Sequence, residues 1–280
     1  MVTASAPASA ANLGPGFDVL AIALDLRCEV EVIAADAWTV TSDGRHVDDE
    51  TASFVRSVAG DAPKDIYIRS AIPSARGLGS SAAVRVATVA ATAVLEHGDF
   101  DHDAVLEIVA AAEGHPDNAA AAVHGGLTFV DATGGVHRLG VHPGIEVVVA
   151  VPAMELETSR ARAVLPDMVS RHVAVRTAAR VAALVEGLRT GDPTVLVAAG
   201  GDELHEHPRA SLVPMAFDLM TAARSAGALH ACWSGAGPSV LAFVTDSTGE
   251  AVRDAFEEVL AGAGEVLEPE IDRSGVLVES

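Results

Sequence analysis

An α+β fold in two domains is what this 280-residue sequence predicts, and three observations predict it. The length exceeds the need of one small core and suits two domains. In the first half, a strand-like stretch runs into a Gly-rich turn and then a long Ala/Val-rich helix. In the second half, strands and helices mix without strict βαβα alternation, the pattern of an α+β layer. The division falls near residue 140, giving domains 1–140 and 141–280.

The elements follow in order. "CEVEVIA", Cys28 to Ala34, alternates apolar and acidic residues as a half-buried strand does. "IYIRSAI", Ile66 to Ile72, is a second strand, leading into "PSARGLGSSAA", Pro73 to Ala83. From Ser80 to His97 the spacing is helical, with Arg85 the only charge before Glu96, so this helix is buried on most sides. Ser80 or Ser81 can cap its start and Gly98 can end it. "HDAVLEIVAAAEGH" is a helix ending near Gly114, and "GGLTFVDA" with "GVHRLGV" is a strand pair. "IEVVVAVP", Ile145 to Pro152, opens the second half. Helices at 167–189, 193–203 and 214–226 follow, then two strands around the Gly-rich bend of "GALHACWSGAGPSVLAFV", a helix in "GEAVRDAFEEVLAGAG" and a last strand.

Composition narrows the function. Hydrophobic residues make up 50% and aromatics 4%, so Ala, Val and Leu must build the core. The formal charge of -21 repels nucleic acid and anionic membrane, which excludes both as partners. Abundant acid, many Arg and one lysine, Lys64, resemble proteins of salt-loving organisms. Cys28 and Cys232 lie far apart without metal-type spacing, which points to a reducing, cytoplasmic setting without disulfides. The N-terminus lacks the basic and apolar regions of a signal peptide. No apolar run approaches the ~18 residues of a membrane helix.

A strand, a Gly-rich turn and a helix start make an anion site. The first helical amides have no internal acceptor, and the helix dipole adds partial positive charge. Gly77 and Gly79 would let the backbone approach a phosphate, and a Ser80 or Ser81 hydroxyl would reach phosphate or Mg²⁺. No lysine follows the glycines, so this is not a Walker A loop; the one lysine lies outside it. A pyridoxal Schiff base and a protein kinase are disfavoured for the same reason.

The whole string is more specific than its glycines. "PSARGLGSSAA" resembles the second motif of the GHMP kinases, the superfamily of galactokinase, homoserine kinase, mevalonate kinase and phosphomevalonate kinase. "PASAANLGPGFDVLAIAL", Pro7 to Leu24, is similar to the first motif, and "SGAGPSVLAF", Ser234 to Phe243, to the third. Within the superfamily, "ANLGPGFD", "EGHPDNAAAAVHGG", "TSRARAVLP" and "HPRASLVP" resemble the homoserine kinase family. The resemblance implies an N-terminal domain like ribosomal protein S5 domain 2, which binds ATP, and a ferredoxin-like C-terminal domain, with the site between them. It implies ATP-dependent phosphorylation of the L-homoserine hydroxyl, giving O-phosphohomoserine on the route to threonine. L-homoserine, ATP and Mg²⁺ are the implied ligands, and a homodimer is compatible with it.

The resemblance also implies residue roles. Pro73, Arg76, Gly77, Leu78, Gly79, Ser80, Ser81 and Ala82 match the nucleotide loop. Glu113 matches the Mg²⁺ ligand, with a loop serine, preferably Ser81, as partner; hard Mg²⁺ needs few protein oxygens. Arg162 and Arg209 match the carboxylate-binding arginines, whose planar forks suit that group. Asn12, Asp18 and Asp117 match the remaining substrate positions, with Asp117 and Asn118 placing the hydroxyl and Thr158 orienting it or the metal shell. Phosphoryl transfer passes through a loose transition state, so positioning and charge neutralisation suffice without a committed base. In "LHEHPR", His205 and His207 are two apart, a spacing of alternating strand faces, with no third ligand for zinc. Where many relatives carry an Asn near the adenine pocket, this chain has Glu50 and Thr51 in "HVDDETASFV". Two other readings stay open: a mevalonate- or shikimate-type GHMP kinase, and a non-catalytic sensor of the same fold.

Overall fold

The computed structural model describes residues 1–279, and two sheets organise them. The first half runs β1 (Val2–Asn12), β2 (Gly16–Ala34), β3 (Thr39–Ser42), β4 (Arg45–His46), α1 (Asp49–Arg56) and β5 (Lys64–Ser70). It continues with α2 (Ser80–His97), α3 (His102–Glu113), α4 (Asp117–His124), β6 (Leu127–Val130) and β7 (Val136–Leu139). The second half runs β8 (Glu146–Pro152), α5 (Thr158–Ala163), α6 (Arg171–Thr190), α7 (Pro193–Ala198), α8 (Glu206–Arg209) and α9 (Met215–Ser225). It ends with β9 (His230–Trp233), β10 (Val240–Val244), α10 (Gly249–Leu260), β11 (Gly264–Leu267) and β12 (Leu277–Glu279).

The first sheet orders its strands β12-β1-β2-β5-β3-β4, with β6 on β2 and β7 beyond it. The second orders them β11-β8-β10-β9, every pair antiparallel. Counted along the chain this is 4-1-3-2 with helices between the first and second and the third and fourth strands, the ferredoxin-like arrangement. The change of sheet falls between β7 and β8, and the end of the chain does not stay with the second sheet. β12 pairs with β1, Ile271 bridges to Leu24, and Arg27 bonds Asp272, so the tail returns to the first sheet.

β1 escapes the alternation rule because it is buried on nearly every residue after Ser5. Its run "APASAA" is small on both faces, which lets helices approach its backbone closely. α2 and α4 use the same device: Ala82, Ala83, Ala87, Ala90 and Ala91, and Ala119 to Ala122, are all buried. α4 therefore shows no 3.6-residue polarity in its sequence and is recognisable only in three dimensions. β2 is 19 residues long, well beyond the Cys28–Ala34 stretch that alternates. Lys64, the one lysine, is a core residue; its ammonium pairs with Glu96 at 2.7 Å beside the Trp38 ring. Gly98 ends α2 with φ 82° as expected, but its N-cap is Gly79, and neither Ser80 nor Ser81 caps it.

Candidate active site

Three glycine-bearing segments meet where the two sheets adjoin. Ser9 and Leu78 join through a backbone hydrogen bond of 3.1 Å, and Gly235 N donates to Ala11 O at 2.9 Å. Ser234 Oγ donates to Gly77 O at 2.7 Å. A side chain at Gly77 (φ 73°) would place Cβ 2.2 Å from Ser234 O, and one at Gly79 (φ 66°) would place it 2.1 Å from Ser9 Oγ. These glycines are required by the neighbouring protein segments as well as by any ligand, a reason the sequence does not disclose. The Arg76 guanidinium donates to Ala153 O at 2.6 Å and Ser74 O at 3.1 Å, tying the loop to the second domain.

One cleft lies over this junction. Asn12, Asp18, Pro73, Arg76, Gly77, Leu78, Gly79, Ser81, Ala82, Glu113, Asp117, Asn118, Thr158, Arg162 and Arg209 all line it. Ser80 does not; it faces an adjoining cavity with Glu50, Thr51, Phe54, Ile68 and Val84. The two spaces share Ala75 and Ser81.

At one end of the cleft, Ser81 Oγ donates to Glu113 Oε1 at 2.5 Å, and Arg85 Nη1 donates to the same oxygen at 2.6 Å. Ser81 lies in the first turn of α2 and Glu113 is the last residue of α3, so two helix ends bring the pair together. Beside them Asp117 is buried. Its Oδ1 accepts from Asn118 N at 2.8 Å and meets His115 Nδ1 at 3.1 Å. That hydrogen bond, partly opposed by burial, raises the His115 pKa above its ordinary value. The Asn118 side chain accepts from Ser9 Oγ at 2.8 Å.

At the other end stand two arginines. Arg162 forms a two-pronged pair with Asp18, at 2.6 and 3.1 Å. Burial lowers its pKa, but the Asp18 hydrogen bonds and charge outweigh that and the net shift is upward. Arg209 is buried; Nε donates to Ala161 O at 3.1 Å and Nη1 reaches His205 Nδ1 at 3.0 Å and Gly235 O at 3.3 Å. Burial, then the neighbouring Arg162 charge, pull Arg209 down to about 10, so it stays protonated at neutral pH. Its Nη2 bonds no acceptor among the described residues and is the fork's free donor. Asn12 spends its amide within the protein, donating to Gly235 O at 2.8 Å and accepting from Asp18 N at 3.0 Å. It shapes the Asp18 turn, φ 56°, from a backbone of φ 71°.

"LHEHPR" is not a strand. It leads into the short helix α8, with His205 fully buried behind Arg209. Residues the sequence did not single out also appear: Ser9 under Asn118, Arg85 on Glu113, and Phe17, whose ring lies 5.5 Å from Arg162 Cζ and 5.6 Å from Arg209 Cζ. An aromatic next to Asp18 in "GFD" was the available signal.

The arrangement suits a small zwitterion at the arginine end and an anion at the helix start. Known proteins resemble the chain as a whole. The family model for the GHMP kinases N terminal domain matches residues 47–126, and that for GHMP kinases C terminal matches 184–262. A homoserine kinase of Deinococcus radiodurans is 38% identical over 99% of this chain and 96% of its own length. One of Gloeobacter violaceus is 38% identical over 98% and 97%. The crystal structure of homoserine kinase from Cytophaga hutchinsonii superposes with a TM-score of 0.87 at 28% identity, covering 99% of this chain and 97% of that one. A phosphomevalonate kinase of Streptococcus pneumoniae, at 17% identity and a TM-score of 0.75, shares the fold. The three junction segments, the two-sheet fold and these full-length relatives agree: the chain belongs to the GHMP kinases, and among them to the homoserine kinase family.

Proposed function

We propose that this chain transfers the terminal phosphoryl group of ATP to the side-chain hydroxyl of L-homoserine, giving O-phospho-L-homoserine and ADP on the way to threonine. The observation that carries the reading is the division of one cleft: Asp18, Arg162 and Arg209 at one end, Ser81, Glu113, Asp117 and Asn118 at the other. Homoserine is built the same way, with its two charges on one carbon and its hydroxyl at the far end.

The Asp18–Arg162 pair is the complement of that zwitterion. The substrate carboxylate takes the Arg162 fork and the free Nη2 of Arg209, while the ammonium takes Asp18. An ion pair already in place means each protein charge keeps a partner before and after binding, which limits the desolvation cost. Asn12 holds the turn that presents Asp18. At the far end Asp117, fixed through Oδ1, accepts the hydroxyl hydrogen bond, and Asn118 and Thr158 complete its placement. The helix-start amides of Ser80, Ser81 and Ala82 and the dipole of α2 receive the phosphates without a lysine. The base end of the nucleotide fits the adjoining cavity of Glu50, Thr51, Phe54 and Ser80, in the segment where the family Asn is absent. The oxygen atom of the acceptor bonds phosphorus as the bridging oxygen leaves with ADP, the hydroxyl proton is given up to the transferred phosphoryl oxygens and on to water, and positioning with charge neutralisation lowers most of the barrier.

Glu113 and Ser81 fit Mg²⁺. They supply one carboxylate and one hydroxyl in mutual contact, hard oxygen donors that leave phosphate and water to fill the remaining positions. When bound, Mg²⁺ neutralises charge on the phosphate oxygens. Buried free cysteines Cys28 and Cys232 support a cytoplasmic setting. Burial pushes the Cys28 thiol up to about 12.

A coupled assay tests the reading with ATP and homoserine, mevalonate, shikimate or galactose as acceptor. Turnover of homoserine far above the rest is expected. Preference for one of the others overturns the reading.

A further inference from the structure

Arg209 must hold its guanidinium still while leaving Nη2 free, and what holds it lies behind it. His205 is fully buried, with both ring nitrogens engaged. Nε2 stands 2.8 Å from Gly14 O and Nδ1 3.0 Å from Arg209 Nη1. A carbonyl only accepts, so Nε2 carries the proton. A guanidinium only donates, so Nδ1 is the bare acceptor. One neutral tautomer satisfies both contacts, and an imidazolium satisfies only one.

The same ring stacks on Phe17, centroids 5.3 Å apart and planes 26° from parallel. Phe17 in turn faces both arginines. Asp18, the next residue, takes Arg162. His205 therefore touches Arg209 directly and touches, through Gly14 and Phe17, the turn that carries Asp18.

We propose that His205, with Phe17 stacked on it, is a positioning residue for the carboxylate end of the acceptor, fixing Arg209 through Nδ1 and tying it to the Gly14 turn through Nε2–H. This rests on the homoserine reading of the cleft.

The charged neighbours are these. Asp202, before α8, lies 3.7 Å from Nε2; Arg209 comes from α8 and Asp18 from β2. Glu206 adjoins His205 in the chain, and Arg162 of α5 stands across Phe17. His230 of β9 donates to Leu13 O at 3.1 Å, so two histidines grip consecutive carbonyls of one turn. Burial lowers His205 to about 4; Asp202 opposes this and Arg209 adds to it. The bare Nδ1 is thus kept through the neutral range.

Three substitutions separate hydrogen bonding from packing. His205→Ala should raise the homoserine KM about tenfold, the loss of one charge-assisted hydrogen bond, with ATP KM and kcat near wild type. His205→Asn, whose Oδ1 replaces Nδ1 as acceptor, should recover most of that loss. His205→Phe keeps a ring on Phe17 without an acceptor and should stay impaired. Recovery by Phe and not by Asn overturns the proposal. A measurement on the unaltered protein reads the same point without substrate: ¹⁵N NMR of the His205 ring at pH 7 should show the neutral Nε2–H tautomer. An Nδ1–H tautomer or a charged ring overturns it. If wild type turns over a different carboxylate acceptor, the homoserine reading fails, and the Asn/Phe contrast judges His205 on that acceptor.

Discussion

On the proposed function one end of the cleft receives phosphate and the other the acceptor; the phosphate end is made of backbone and short side chains, whereas the acceptor end is made of long ones. At the phosphate end, Gly77, Gly79 and the first turn of α2 come from one continuous stretch, and Glu113, Asp117 and Asn118 come from either side of the one short turn between α3 and α4. At the acceptor end, residues 18, 162, 205 and 209 come from both domains and depend on the packing between them. A local backbone device is legible as a motif and tolerant of distant change. A device assembled from far-apart charges is tunable by its surroundings: Arg209 stands at about 10 and His205 at about 4 because they are buried together.

This contrast is open to breaking. The largest effect is expected at the phosphate end. Glu113→Gln should lower kcat by about 10²–10³-fold with the homoserine KM little changed, because it removes charge where the phosphoryl group moves. It also loses the Arg85 pair, so a melting curve must accompany the kinetics. Unchanged kcat at saturating Mg²⁺ would take Glu113 out of the site.

The acceptor end should dominate the acid response. His205 and His230 both fall to about 4 in the fold through burial, below an unfolded value near 6.5. Their contribution is complete above pH 6.5 and is lost as pH falls through 4, since the unfolded chain takes up protons first. Glu206 runs the other way. Burial raises it to about 7, so its contribution is complete below pH 4.5 and is lost as pH rises through 7. Two groups against one leave a net uptake of about one proton on unfolding between pH 6.5 and 4.5, or about 1.4 kcal/mol per pH unit. Urea unfolding across that range should show stability falling with acid. A flat or opposite slope would show that the buried histidines are not neutral in the fold.

The smallest effect belongs to neither end. With a charge of -21 the folded chain repels itself, and salt screens that repulsion. The melting temperature should rise by a few degrees into molar KCl; a flat or falling trend would remove the salt-loving reading.

The motifs carried more of the cleft than composition or periodicity did. "GLGSSAA" and "EGHPDN" are local strings, so Ser81, Glu113 and Asp117 could be named through their resemblance to family motifs, and the fold brings all three to one cleft. β1 and α4 could not be assigned by pattern, because an alanine-rich element buried along most of its length has no polar face to mark its period. The serine caps were misassigned because the Ser81 hydroxyl bonds Glu113, 32 residues away, instead of its own helix. His205 was read from the spacing of two histidines, while its actual partners, Gly14 and Arg209, depend on tertiary packing. The C-terminal return to β1 is equally invisible to a division drawn along the chain.

The central claim is that the arginine end recognises the acceptor and not the nucleotide. Arg162→Leu tests it most directly. Arg209 also bonds Ala161 O and Gly235 O, so its removal costs stability as well, whereas Arg162 is partly exposed and among the described residues its side chain pairs only with Asp18. Losing a charged partner of the carboxylate forfeits about 2–4 kcal/mol. Calorimetry on the variant should show homoserine binding weakened by roughly two orders of magnitude and ATP binding unchanged within about threefold. Weakened ATP with homoserine untouched would contradict the account.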